Sequence, residues 1–176
     1  MAEGFTLVTG GARSGKSAYA ERLAAGSGKP VLFVATAEAR DEDMRQRIEE
    51  HRANRPAEWQ TIEEPLSVAV AIRAGIGGSQ HTPVVLLDCV TLLVSNLLLA
   101  GRPVQPEIEA LVQWRNQSGA RLIAVTNEVG LGIVPDNALA RQYRDALGLA
   151  NQMLAAAADQ VILMVAGLAV AIKRPR

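Results

Sequence analysis

The 176-residue chain has one cysteine, Cys89, so no intramolecular disulfide framework can hold it, and that usage fits a reducing cytoplasm. Aromatic residues are only 3%, two each of Trp, Tyr and Phe, against 49% hydrophobic residues in all, so the core must come mainly from Val, Leu, Ile and Ala. Neither charge sign is in excess, with 18 Lys+Arg and 18 Asp+Glu. A broad nucleic-acid or anionic-membrane surface would need a basic surplus, so neither partner is expected. Met1-Ala2-Glu3-Gly4 has no basic n-region, and no signal peptide is expected there. The longest apolar stretch near the end, Val161 to Ile172, is too short to span a bilayer and reads as a buried strand. Repeats, low-complexity tracts and interdomain linkers are also missing, and a single domain over 1–176 is the expectation.

What the sequence does hold is Gly10-Gly11-Ala12-Arg13-Ser14-Gly15-Lys16-Ser17, the full G-x-x-x-x-G-K-S spacing. The apolar run Phe5 to Val8 leads into it and a helix-forming run, Ala18 to Ala25, leaves it. This strand–loop–helix setting is what the motif requires. Glycines let backbone N–H groups turn toward phosphate oxygens, and the N-terminus of the following helix adds partial positive charge. Lys16 can reach the β- and γ-phosphates, and the Ser17 hydroxyl can hold Mg²⁺. These eight residues are therefore expected to bind a nucleoside triphosphate.

Further along, Val31 to Ala37 reads as a second strand, with a polar exit from Thr36 to Asp41. Asp41 can cap a helix from Glu42 to Arg52, which Pro56 keeps from continuing far. A polar connection, Ala57 to Pro65, precedes a helix from Leu66 to Ala74 that Gly75-Ile76-Gly77-Gly78 ends. Val84 to Leu87 is a hydrophobic strand ending in Asp88, the pattern of a second carboxylate on the Mg²⁺ side. Helices follow at Leu92 to Leu99 and Pro106 to Gln117, a strand at Arg121 to Thr126, and a long helix at Ala138 to Ala158 with Asp136 or Asn137 as its cap. Val161 to Val165 begins the last strands. Alternating strands and helices imply a mostly parallel sheet with right-handed crossovers. With the phosphate loop this predicts a three-layer α/β P-loop NTPase fold with a RecA-like sheet.

Only two histidines are present. His81 lies in a turn before a strand and reads as a solvated loop residue. His51 is spaced i+7 and i+3 from Met44 and Ile48, so the three share one helix face. It is either packed at the edge of an apolar stripe or placed for chemistry. Arg47, Arg52 and Arg55 surround it in sequence. Guanidiniums would bind phosphates and disfavour a protonated imidazole, and a neutral imidazole beside phosphates can act as a nucleophile. Spacing leaves both readings open.

Beyond the phosphate loop, a set of blocks occurs in order: Ala35-Thr36-Ala37, Asp41-Glu42-Asp43-Met44, Arg47-Ile48-Glu49-Glu50-His51-Arg52 with Arg55-Pro56 and Trp59, Asp88-Cys89-Val90-Thr91, and Val125 to Pro135. Asn137, Arg141, Arg144-Asp145, Gly148 and Asn151-Gln152 follow. Together they resemble the bifunctional adenosylcobinamide kinase/adenosylcobinamide-phosphate guanylyltransferase family of cobalamin biosynthesis, from Val8 to Lys173. The resemblance implies phosphorylation of the aminopropanol hydroxyl of adenosylcobinamide by ATP or GTP. GMP then passes from GTP to that phosphate through a guanylylated histidine, whose position matches His51. It implies Lys16 as phosphate clamp, Ser17 and Asp88 on Mg²⁺, and guanine-nucleotide contacts at Thr36, Ala37, Glu38, Arg52, Ala53, Asn54, Arg55 and the acid at Glu63, or its neighbour Glu64. It also implies a homo-oligomer, a trimer. Glu128 could be structural or could orient a substrate. The rival enzyme reading is a simple P-loop small-metabolite kinase with a structural His51. A non-catalytic reading, a nucleotide-dependent switch or RecA-like assembly module, would need a partner surface that the neutral charge does not suggest.

Overall fold

In the computed structural model, residues 4–39, 41–53, 55–77 and 82–175 are described, with Asp43, Arg47 and His51 described by their backbone alone. In chain order the elements are β1 (Phe5–Gly10), α1 (Lys16–Ala25), β2 (Val31–Ala35), α2 (Glu42–Ala53), β3 (Gln60–Glu63), α3 (Val68–Ile76) and β4 (Val84–Asp88). Then come α4 (Val90–Leu99), α5 (Val104–Ser118), β5 (Leu122–Val125), α6 (Ala138–Ala157), β6 (Gln160–Val165) and β7 (Leu168–Lys173). The strands form one seven-stranded sheet in the order β3-β2-β4-β5-β1-β6-β7. All pairings are parallel except β6 with β7.

Side-chain alternation explains why the central strands are apolar throughout. Leu32 and Val34 face one way with Val85, Leu87, Leu122 and Ala124, beneath α3, α4, α5 and α6. Val31 and Phe33 face the other way with Val84, Leu86, Ile123 and Val125, against Ala20 and Ala24 of α1. Both faces of the sheet are covered, which gives the three layers and removes any polar alternation from the inner strands. Among the described residues no helix is long and apolar enough to cross a membrane.

Several boundaries differ from the sequence reading. The polar connection from Ala57 to Pro65 contains β3, whose exposed Gln60, Thr61 and Glu63 hid it. It pairs only with β2, at the edge of the sheet, where an apolar run is not needed. Helix α3 begins at Val68 rather than Leu66, because the Glu64 carboxylate accepts the N–H groups of Leu66 and Ser67 just ahead of it at 2.9 and 2.8 Å. Gly75 does not stop that helix. It lets α3 approach β3, for a Cβ there would sit 2.5 Å from Ile62 Cδ1, and Gly77 takes the terminal position instead. Helix α5 starts two residues before Pro106, which the first turn tolerates because its N–H groups have no intrahelical partner. Val161 to Ile172 is not one buried strand. It is a hairpin turning at Ala166 and Gly167, and its second strand is largely exposed. The predicted caps do form: Asp41 accepts from Met44 N at 2.7 Å, and Asn137 from Ala140 N at 2.7 Å.

Candidate active site at the carboxyl edge of the sheet

Strand β1 delivers the phosphate loop at its carboxyl end, between β5 and β6. Gly10 has φ 151°, and a Cβ on it would lie 2.4 Å from the Met164 carbonyl oxygen of β6. Gly15 has φ 91° and hands the chain to α1. Neighbouring segments fasten the loop on both sides. Glu128 N donates to the Gly10 carbonyl at 3.0 Å, and Gly167 N to that of Ser14 at 3.1 Å. Gly11, Ala12 and Arg13 are exposed at its crest, while Ser14 and Lys16 are buried. The Lys16 ammonium bends over the loop, donating to the Gly11 carbonyl at 2.6 Å. Burial pushes it below the usual lysine range, against the opposing pull of the Asp88 carboxylate.

Beside the loop opens a cavity of about 260 Å³. Ser17 of α1, Asp88 of β4 and Asn127 beyond β5 line it, together with Met44, Ile48 and Arg52 of α2. The expected Ser17, Ala37, Arg52, Arg55, Glu63 and Asp88 therefore meet around one space. The two neighbouring carboxylates differ in position. Glu63 lines the cavity and pairs with Arg52, whose Nε lies 2.9 Å from Glu63 Oε1, whereas Glu64 is engaged at the entry to α3. Arg55 lays its guanidinium over the Phe33 ring, 3.6 Å from the centroid, and donates to Thr61 Oγ1 at 3.2 Å. Burial holds its pKa below the ordinary arginine value, although Glu21, Asp88 and Glu63 oppose that shift.

Thr36 is not among the residues lining the cavity. It is fully buried; its hydroxyl donates to the Cys89 carbonyl at 2.7 Å and accepts from Cys89 N at 2.9 Å. Asn96 Nδ2 donates to the Thr36 carbonyl at 2.8 Å. The residue thus pins the exit of β2 to the exit of β4, beside Asp88. Glu38 and Ala53 are not among the residues lining the cavity. Asn54 and His81 lie outside the described residues.

Sequence reasoning missed part of the wall: Phe33, Ala35, Thr91, Leu92 and Asn127. Asn127 is held at both ends, its N–H on Thr91 Oγ1 at 2.7 Å and its carbonyl on Asn151 Nδ2 at 3.0 Å. The signal for it was its place directly after β5, at the carboxyl edge where open α/β sheets bind ligands. The Glu128 carboxylate accepts from Gly130 N and so braces the loop that follows.

Residues 6–172 match the model of the family described as cobinamide kinase / cobinamide phosphate guanyltransferase. The bifunctional adenosylcobalamin biosynthesis protein CobP of Pseudomonas aeruginosa is 46% identical over 169 residues, covering 95% of this chain and 96% of that protein. The corresponding CobU of Escherichia coli is 43% identical over 182 residues, 95% of this chain and 98% of that one. Among solved structures, the flagellar accessory protein FlaH of Methanocaldococcus jannaschii superposes with a TM-score of 0.54 at 14% identity, over 98% of this chain and 79% of its own. That likeness speaks for the three-layer fold alone. A family match along almost the whole chain, around a phosphate loop and its facing acid, settles the class: this chain belongs to the cobinamide kinase / cobinamide phosphate guanyltransferase family and is a bifunctional kinase and nucleotidyltransferase.

Proposed function

We propose that both reactions run over the one phosphate loop and that His51 carries the guanylyl group between them. The observation behind this is the placement of α2: Met44, Ile48 and Arg52 line the same cavity as Ser17 and Asp88. His51 lies in that helix between Ile48 and Arg52. In the kinase step the aminopropanol hydroxyl of adenosylcobinamide attacks the γ-phosphorus of ATP or GTP, releasing the diphosphate. Lys16 offsets charge on the transferred group. In the second reaction an imidazole nitrogen attacks the α-phosphorus of GTP, an N–P bond forms and pyrophosphate leaves. A phosphate oxygen of adenosylcobinamide phosphate then attacks the same phosphorus and the N–P bond breaks, giving adenosylcobinamide-GDP and free His51. Arg52 and Arg55 at the cavity wall are placed to bind phosphate oxygens, and Ala37 and Glu63 to meet the nucleotide.

The Ser17 hydroxyl and the Asp88 carboxylate are hard oxygen donors on one cavity, a set that fits Mg²⁺. These two residues would hold the ion beside the nucleotide phosphates. When bound, it neutralises charge on the phosphates. The reading further takes the protein as a cytoplasmic, single-domain homotrimer with no nucleic-acid partner.

The test is labelling with α-³²P-GTP and Mg²⁺, followed by mass mapping of the adduct. The wild type should take up GMP on His51, in an acid-labile, base-stable bond. His51→Ala should keep cobinamide phosphorylation, lose the adduct and make no cobinamide-GDP. An adduct on another residue, or completed guanylyl transfer by His51→Ala, would overturn the mechanism.

A further inference from the structure

The cavity, at about 260 Å³, falls below the range of roughly 300–1,000 Å³ in which proteins enclose drug-sized ligands. A corrin macrocycle with its amide arms is bulkier than such a ligand, so only the arm bearing the reacting hydroxyl can enter. The macrocycle must rest on the rim, and the rim is chemically uneven. Along α2 and its cap the exposed residues include Asp41, Glu42, Arg45, Gln46, Glu49, Glu50 and Arg52, a highly hydrated border. On the β5 side the loop after Asn127 raises Leu131, Ile133 and Val134, which are 90%, 97% and 61% exposed. Asn127 lines the cavity, and at about 3.6 Å of reach per residue Leu131 lies within about 14 Å of it. The loop is fastened at both ends: Glu128 N holds the phosphate loop at Gly10, and Arg141 Nη1 donates to the Pro135 and Asp136 carbonyls at 3.0 and 2.7 Å. Large apolar side chains this exposed on a braced loop mark a contact surface. The other exposed apolar tip at this edge, Val165 and Leu168, flanks β1 on its far side, and neither β6 nor β7 contributes to the cavity.

We propose that Leu131, Ile133 and Val134 form the ledge on which the corrin ring of the acceptor rests while its hydroxyl arm reaches the cavity. The proposal rests on cobinamide being the acceptor, and it adds the surface that selects it. Burying one of these side chains against hydrocarbon corresponds to about tenfold in affinity. The test uses the full chain with Leu131→Ser, Ile133→Ser and the conservative Ile133→Leu. KM is measured separately for cobinamide and for GTP, cobinamide binding by equilibrium dialysis, and particle mass by light scattering. Each Ser variant should raise the cobinamide KM and Kd about tenfold with the GTP KM and the mass unchanged, and Ile133→Leu should stay within about twofold of wild type. Unchanged cobinamide binding in both Ser variants would overturn the ledge. A shift in mass accompanying the loss would overturn it in favour of a second copy of the chain. A wild-type protein that turns over GTP but never cobinamide would overturn the acceptor assignment itself.

Discussion

Replacing Thr36 with Val changes almost no volume and removes one oxygen, so its effect isolates two hydrogen bonds. Both go to Cys89, at 2.7 and 2.9 Å, in a place where Thr36 is 0% exposed. The substitution leaves the buried Cys89 N–H without that partner, at about 1–3 kcal/mol, and costs the Cys89 carbonyl one of its two hydrogen bonds, at about 0.5–1.5 kcal/mol, since Leu93 N still donates to it at 3.2 Å. The added methyl returns about 0.8 kcal/mol, so the net loss should be about 1–4 kcal/mol. For a chain of this length that corresponds to a fall in Tm of about 2–16 °C. Urea unfolding followed by the fluorescence of Trp114, which is buried in the α3–α6 layer, gives the free energy directly, with the slope against urea unchanged. Thr36→Ser should recover most of the loss. Activity should fall in both reactions, since the pinned segment carries Asp88. A Thr36→Val protein within about 1 kcal/mol of wild type, or one that Ser does not rescue, would refute the assignment of Thr36 to holding the strand exits together.

Two other perturbations probe neighbouring groups. Asp88→Asn should raise the Mg²⁺ concentration for half-maximal activity about tenfold, the worth of one charge-assisted contact, and an unchanged Mg²⁺ dependence would make Asp88 purely structural. Burial, and then the Asp88 carboxylate, push the Cys89 thiol up to about 12. The folded protein keeps a proton that the unfolded chain loses above about pH 8.5, so this stability is present below that pH and declines as pH rises toward the folded value. Iodoacetamide at pH 8 should therefore label Cys89, which is half-buried at the cavity wall, more slowly in the folded protein than in urea; equal rates in both would contradict the raised thiol.

How much was readable in advance depends on which force fixes each segment. The phosphate loop and the inner strands were legible because local geometry and two-sided burial leave few alternatives at Gly10, Lys16 or Val84 to Asp88. Strand β3 was not, since it is held by backbone pairing with β2 at an open edge, and Gln60 and Thr61 carry no apolar signature. Gly75 misled for a related reason: its small size serves contact with Ile62, which is distant in sequence and silent in local pattern. At the site, charged residues announced themselves, and Arg52, Arg55, Glu63 and Asp88 do converge. Thr36 looked the same in sequence whether its hydroxyl faced a ligand or Cys89; only the packing of β2 against β4 decides that. Phe33, Leu92 and Asn127 are ordinary residues made site residues by the sheet edge they occupy.

The hairpin that backs the phosphate loop has a consequence for how the binding site comes into being. Gly10 and Ser14 are contacted by Met164 and Gly167, some 150 positions downstream, and no side chain could be fitted between Gly10 and that strand. The first strand, loop and helix are contiguous and could close early as a local unit. Their clamped shape nonetheless requires the last two strands to have joined, and such long-range pairings pay their loop-closure entropy before any contact rewards it. Nucleotide affinity in this protein is thus a readout of a finished sheet: during refolding, GTP capture should trail the helical signal and coincide with docking of the final hairpin.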